Sequence, residues 1–440
     1  MKLSLTNPAM PIDDSSFPDR DSLLAFQLAR LRELLSILLP NNSFYSQKFG
    51  RAGLDANVTT LDEFTERVPF TQKKELVDDQ LRNPPYGSNL TFRIERYTRF
   101  NQTSGTAGKP MLWLDTPESW SWMLDNWAHV YRAAGVTAGD CIFFAFSFGP
   151  FLGFWTAFEA ATRMGCLCVP GGGMRSAARL RTIIDTGSRV LCCTPTYAIR
   201  LAEVASEEGV DLSAARVSTI IVAGEPGAGI PATRAHIEKL WRGARLVDHH
   251  GMTETGPVSY ECPKRRGVLH VIGSSYIGEV IDPESGEPVG PRGTGELVLT
   301  NLGRTGSPLL RYRTGDLVQR ANDDRCECGS HNLTLEGGIL GRTDDMVVVR
   351  GVNIYPSAIE EILRGCDGVA EYRVEVHTGT TMPELKVLVE PTTGCQDAAS
   401  LEKRLAESLN DAFSLRISVS SVPQGELPRF EMKAKRWLRM

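Results

Sequence analysis

Asn101-Gln102-Thr103-Ser104-Gly105-Thr106-Ala107-Gly108-Lys109-Pro110 is the stretch on which the reading of this chain turns. After two polar amides, every residue is hydroxyl-bearing, glycine, alanine, lysine or proline. Glycine and proline disfavour the interiors of helices and strands, so the run reads as a loop. Its hydroxyls and bare backbone N–H groups can close around an anion, and the lysine adds a point charge suited to phosphate. The plain alternative is a surface hairpin turn. A Walker A loop fits worse, because that pattern has four residues between its glycines and a Ser or Thr after the lysine. Here only Thr106 and Ala107 separate Gly105 from Gly108, and Pro110 follows Lys109. Proline favours an extended conformation in the residue before it, so the loop is not expected to run straight into a helix.

Around this loop the pattern is that of an α/β protein. Residues 22–39 have apolar side chains at helical spacing before Pro40, 60–80 read as a further helical stretch, and 93–100 as a strand leading into the loop. Downstream, helices are expected over 120–134, 154–164, 177–186, 197–207 and 230–240. They alternate with strands over 141–146, 166–170, 190–194, 219–222 and 245–248. That alternation predicts βαβ units and a parallel sheet covered on both faces, with ligands beyond the carboxyl ends of the strands. Loops in such positions are Ala223-Gly224-Glu225-Pro226-Gly227 and His249-His250-Gly251-Met252-Thr253-Glu254-Thr255. Residues 276–318 change to Gly-rich turns and short alternating strands, an antiparallel β-subdomain. From 346 onward the order strand, helix, strand, strand, helix, strand predicts a small split βαβ domain.

Length, composition and charge narrow the options. A chain of 440 residues is too long for one compact core. With 42% hydrophobic and 23% charged residues it reads as soluble and globular, and a net charge of −5 offers no basic field for nucleic acid or an anionic membrane. The N-terminal residues lack the pattern of a signal peptide. The uncharged run 141–158 approaches the length of a spanning helix, but Ser147, Gly149, Pro150 and Gly153 interrupt it, which favours strand, turn and core helix. The ten cysteines suit reduced thiols in a cytoplasmic protein without disulfides.

Residues 103–110 resemble the phosphate loop of the acyl-adenylate-forming superfamily of acyl-CoA synthetases, luciferases and adenylation domains. Matching motifs follow in order, so the resemblance runs from about residue 60 to the end. Their details are similar to the phenylacetate-CoA ligase branch. The resemblance implies phosphate contacts from Thr103, Ser104, Gly105, Thr106, Gly108 and Lys109, with Ala107 standing where a second threonine is usual. Gly224-Glu225-Pro226 match the wall that meets the adenine. His250-Gly251-Met252-Thr253-Glu254 match the motif that holds the α-phosphate through Thr253 and Mg²⁺ through Glu254, His250 replacing the usual tyrosine. The bland reading of that stretch is a helix N-cap at Thr253 with Glu254 in the first turn. Arg311-Tyr312-Arg313-Thr314-Gly315-Asp316 resembles the most specific motif, Asp316 accepting from both ribose hydroxyls. Gly341-Arg342-Thr343-Asp344 marks the boundary between an adenylation domain, 1–343, and a mobile C-terminal domain, 344–440. Arg342 then meets ribose or phosphate, and Asp344 is the hinge. The tail 426–437 has the family's catalytic lysine at Lys433, with Met432 in place of a glycine and Lys435 as runner-up. Arg429, Lys433, Lys435 and Arg436 also fit a solvated basic tail.

The activity implied is ATP-dependent activation of a carboxylic acid as acyl-AMP and its transfer to coenzyme A, with residues 350–355 lining the pantetheine tunnel. A carrier-protein-loading adenylase and a non-catalytic nucleotide-binding protein are the alternatives, and a homodimer is left open. Seven aromatics between Phe143 and Trp155 suggest an aryl or arylalkyl acid, although any core uses such rings. Finally, Cys262, His270, Cys326 and Cys328 suggest a structural zinc site. The insert at 323–330 has too few apolar residues to hold itself by burial, and three thiolates with one imidazole make a closed tetrahedral set. Cys-x-Cys is an unusual spacing, and His331 competes with His270 for the fourth position.

Overall fold

The computed structural model describes residues 14–440 apart from 104–109, 323–324, 350–351, 378–383, 396 and 432. These residues form two compact units. One comprises the chain up to Gly173 with Asp248–Gly338, the other Met174–Val247 with Ile339–Met440. The sheets and helices are those of the expected α/β class.

In the first unit, the helix Arg20–Leu38 starts where the Asp19 carboxylate accepts the Ser22 N–H at 2.8 Å. It buries Leu31, Leu34, Leu35 and Leu38 against Tyr45, Phe49 and Phe64. The helical stretch expected at 60–80 is two helices, Leu61–Arg67 and Lys73–Arg82. Pro69 holds Val68 extended and so divides them. Instead of a strand over 93–100 there is a short 3-10 turn, Ile94–Arg96, and then a strand Arg99–Gln102. That strand pairs antiparallel with Leu112–Asp115, Gln102 opposite Leu112. Strands Cys141–Phe144 and Leu167–Pro170 pair in parallel across the helix Leu152–Arg163. The β-subdomain is a six-stranded sheet in the order Ser259–Glu261, Leu269–Val271, Thr334–Arg342, Tyr312–Arg320, Thr294–Asn301, Tyr276–Ile281.

In the second unit, strands Val190–Cys193, Thr219–Val222 and Arg245–Asp248 are neighbours in a sheet, the first two parallel. Helices Ser176–Asp185, Pro195–Glu207 and Pro231–Leu240 accompany them. The C-terminal segment departs from the expected split βαβ order in two respects. Val347–Val349 does not join the main sheet; it forms a hairpin of its own with Val352–Ile354. The main sheet runs Ser418–Ser421, Glu384–Pro391, Val369–His377, Trp437–Arg439. Its last strand comes from the end of the chain and pairs in parallel with Val374–Val376. Helix Pro356–Gly365 packs on helix Pro231–Leu240, where the Glu361 carboxylate accepts the Ala232 N–H at 2.9 Å. No helix among the described residues is long and apolar enough to cross a membrane.

Candidate active site

Of the opening motif, Asn101, Gln102, Thr103 and Pro110 lie within the described residues. Thr103 is buried, its N–H donates to the Met111 carbonyl at 3.0 Å, and its hydroxyl accepts the Met111 N–H at 2.9 Å. One residue earlier, the Gln102 N–H donates to the Pro150 carbonyl at 2.8 Å. Ser104, Gly105, Thr106, Gly108 and Lys109 lie outside the described residues.

Thr253 and Glu254 do not begin a helix. They stand in a tight turn between the two-residue strands Gly251–Met252 and Gly256–Pro257, which pair antiparallel. A Cβ on Gly251 would come within 2.9 Å of the Gly256 carbonyl, so the close approach of the two arms requires glycine there. The carbonyls of the turn face inward to buried donors. Arg304 Nη1 donates to the Thr253 carbonyl at 2.8 Å and to the Glu254 carbonyl at 2.7 Å. The Tyr276 hydroxyl lies 2.8 Å from the Thr255 carbonyl. The Glu254 carboxylate meets the Lys73 ammonium at 3.1 Å.

Asp316 is buried on the strand Tyr312–Arg320, and its Oδ2 accepts from His250 Nε2 at 2.9 Å. A carboxylate only accepts here, so the proton is on Nε2. Among the described residues, His250 Nδ1 is buried without a hydrogen-bond partner. The ring that the resemblance sets against adenine is thus hydrogen-bonded to the aspartate that it sets against ribose. The motif's arginines brace the strands: Arg311 pairs with Glu279 at 2.7 Å, and Arg313 pairs with Glu296.

In the second unit, Gly224 has φ +96°, and a Cβ there would lie 3.3 Å from Lys433 Cε. The Glu225 carboxylate is a strut between backbones, accepting the Thr196 N–H and the Ala434 N–H, each at 2.9 Å. Burial pushes its carboxyl above the ordinary carboxylate range. The tail is not uniformly solvated. Arg436 is buried, donates to both Glu371 carboxylate oxygens at 2.7 and 3.1 Å and to the Thr196 hydroxyl at 3.3 Å. Arg429 pairs with Glu390. Lys433 and Lys435 are exposed. Arg342 is half-exposed and donates to Asp344 at 2.8 Å.

The AMP-binding enzyme family model matches residues 99–303, and the AMP-binding enzyme C-terminal domain model matches 351–439. A phenylacetate-coenzyme A ligase of Thermus thermophilus is 31% identical over 432 residues, covering 94% of this chain and 95% of that one. The chain belongs to the acyl-adenylate-forming family, in its phenylacetate-CoA ligase-like branch. A phenylacetate-coenzyme A ligase of Pseudomonas putida is 30% identical over 94% of this chain and 93% of its own. Among solved structures, a 2-hydroxyisobutyryl-CoA ligase in the postadenylation state, in complex with 2-HIB-AMP, superposes with a TM-score of 0.92 at 27% identity. It covers 99% of this chain and 94% of that one.

Two further features of this family member are clusters. Cys262 Sγ, His270 Nε2, Cys326 Sγ and Cys328 Sγ all lie within 4.8 Å of one another. Cys262 and Cys326 sulfurs are 3.7 Å apart, and Cys328 Sγ is 3.3 Å from His270 Nε2. The Thr334 hydroxyl donates to the Asn332 carbonyl at 3.1 Å and so accepts from His270 Nδ1, also at 3.1 Å, leaving Nε2 toward the sulfurs. The hydrogen bond from His270 brings the Cys326 thiol down to about 6. Burial works against a charge on His270, but hydrogen bonds to the three sulfurs outweigh it and raise the imidazole to about 11. The field inside the cluster therefore calls for positive charge. His331 stays outside the cluster.

The aromatic run divides in two. Phe143 and Phe144 are fully buried in their strand and serve the core. Phe146, Phe148, Phe151, Phe154 and Trp155 are less buried, beyond the strand's carboxyl end. Phe146 stacks on Phe154 at 4.1 Å, and Phe148 meets Trp155 edge-on at 5.0 Å. The helix carrying Phe154 and Trp155 packs against both strands that flank the Thr253–Glu254 turn. Lys73, Asp115, Tyr276 and Arg304 were not singled out from the sequence. Arg304 and Asp115 are 189 residues apart, and no local pattern marks either.

Proposed function

We propose that this chain is an AMP-forming acid–coenzyme A ligase that activates an aryl or arylalkyl carboxylate with ATP. One observation carries the reading: the Lys433 side chain runs beside the 224–226 loop, with its Cε 3.3 Å from a Cβ position on Gly224. The first half-reaction brings a carboxylate onto an α-phosphate, and two anions meet only where fixed positive charge offsets their repulsion. Lys433 supplies that charge, Lys109 with Ser104 and Thr106 holds the leaving phosphates, and Thr253 donates to the α-phosphate. Asp316 binds the ribose, with His250 orienting its carboxylate. Glu225 acts by fixing the 224–226 loop to the lysine-bearing tail.

Glu254 is the residue to hold Mg²⁺, which supplies neutralising charge on the phosphates when bound. The fit is supported by the buried carboxylate, which already faces the Lys73 ammonium at 3.1 Å. The half-exposed aromatics at 146–155 suit the ring of the acid, because Phe146 and Phe154 already stack face to face. We take 343/344 as the domain boundary and Asp344 as its hinge, with 352–355 beside the path of the thiol. The ten free cysteines suit a reducing compartment, the cytoplasm. The Cys262–His270–Cys326–Cys328 cluster is read as a structural zinc site. The donor set matches zinc, and the Thr334 hydrogen bond fixes the tautomer that ligation needs.

A panel of benzoates, phenylacetates and medium-chain fatty acids tests the function. Acid-dependent pyrophosphate release and coenzyme A consumption are expected with the aryl acids. Preference for the fatty acids, or no release with any acid, overturns the reading.

A further inference from the structure

We infer that Arg304 and Asp115 form a buried clamp that positions the Thr253–Glu254 turn for Mg²⁺–nucleotide binding, an inference that rests on the proposed ligase reading. Both side chains have 0% exposure. Arg304 Nε and Nη2 donate to the two Asp115 carboxylate oxygens, each at 2.7 Å. Its remaining nitrogen, Nη1, spans the Thr253 and Glu254 carbonyls at 2.8 and 2.7 Å. The guanidinium carbon lies 5.0 Å from the centre of the Trp113 ring. One planar cation thus joins the last residue of the strand Leu112–Asp115, which leaves the phosphate loop, to the turn carrying the α-phosphate and metal residues.

A fold seldom sets a complete ion pair in so dry a place for stability alone, since packed apolar residues of similar volume often serve as well or better. What apolar residues lack is the fork of donors that fixes two successive carbonyls in one direction. With both carbonyls held by the buried guanidinium, the turn is fixed in place, and its Glu254 carboxylate meets Lys73 at 3.1 Å. Arg304 and Asp115 touch neither nucleotide nor acid. They act through the turn.

The test uses the full chain carrying Arg304→Met with Asp115→Leu, and separately Arg304→Lys, which keeps the charge without the fork. Calorimetric titration measures ATP affinity with and without Mg²⁺. Half-reaction assays measure acid-dependent pyrophosphate release, and thiol transfer from synthetic acyl-adenylate. Because a displacement of catalytic groups by about 1 Å is worth on the order of 100-fold, pyrophosphate release is expected to fall by about 10- to 100-fold in both variants. The gain in ATP affinity on adding Mg²⁺ is expected to shrink to the same extent. ATP affinity without Mg²⁺, and transfer from acyl-adenylate, keep only the Thr253 contact to this turn and are expected to fall less than the Mg²⁺-dependent quantities. Wild-type Mg²⁺ response and pyrophosphate release in a folded double variant overturn the clamp. So does Arg304→Lys behaving as wild type, which also decides the matter if the double variant does not fold. A wild-type enzyme that releases no pyrophosphate with any acid defeats the ligase reading instead, and the titrations still report on the clamp.

Discussion

At the scale of single residues, the two lysines of the tail separate by what stands next to them. Lys433 lies along Gly224, in the same unit, where Glu225 binds the Ala434 N–H and holds the tail in register. Lys433→Ala is expected to lower acid-dependent pyrophosphate release by about 100-fold or more, with transfer from synthetic acyl-adenylate nearly unchanged, because fixed charge matters where two anions meet. Lys435→Ala is expected to leave both half-reactions near wild type. The reverse result, read in the same two assays, would move the catalytic register by two residues. Lys73 poses a second question at this scale. Its ammonium competes with a divalent cation for Glu254, so Lys73→Gln is expected to shift the Mg²⁺ titration of nucleotide binding to lower concentration.

At the scale of elements, two segments are held by partners far along the chain. The four residues proposed to hold zinc come from the connection between strands Ser259–Glu261 and Leu269–Val271, from the second of these strands itself, and from the insert after Tyr312–Arg320. Chelation of protein purified without added zinc is expected to lower the melting temperature and release about one equivalent of metal. A Cys326→Ser/Cys328→Ser variant with the same metal content as wild type would show that the site does not exist. The strand Trp437–Arg439 lies in parallel beside Val374–Val376, next to the buried Arg436–Glu371 pair. Deleting residues 437–440 uncovers that edge and is expected to lower the melting temperature by several degrees. A truncated protein with unchanged melting would show that the strand is dispensable.

For the whole molecule, the half-buried His236 and the buried His249 set a dependence on pH. Burial holds His236 and His249 down to about 4 in the fold, against an ordinary value of 6.5. The unfolded chain therefore binds protons near pH 6.5 that the folded chain refuses. Stability from these groups is present above pH 6.5 and is lost as the pH falls from there toward 4. Denaturant titrations at pH 7.5 and 5.0 are expected to show a lower midpoint at the acid value. His249 Nδ1 donates to the Ser259 carbonyl at 2.7 Å, and a glutamine retains a donor there. His236→Gln with His249→Gln should flatten the difference; an unchanged difference would mean that other groups dominate the acid limb.

What the sequence by itself determined was local chemistry. The 103–110 loop, the Thr253-Glu254 pair and Asp316 are short contiguous motifs, and their residue types carry meaning before any folding. Alternation of helix and strand over 120–250 made the α/β class legible for a similar reason, since periodicity records which face is buried. Cys262, His270, Cys326 and Cys328 were legible as a candidate set, and the fold brings these four together without His331. Tertiary structure alone decided the rest. Pro69 as a helix divider was readable and missed; the Arg304–Asp115 pair was not readable, because its members are 189 residues apart. A charged tail became partly a strand with one buried arginine before it, since Glu371 and Thr196 wait for Arg436 in packed surroundings. The physical reason is common to these cases. A buried charge is tolerable only beside its partner, and which partner it meets is settled by packing between distant segments, not by neighbours in the chain.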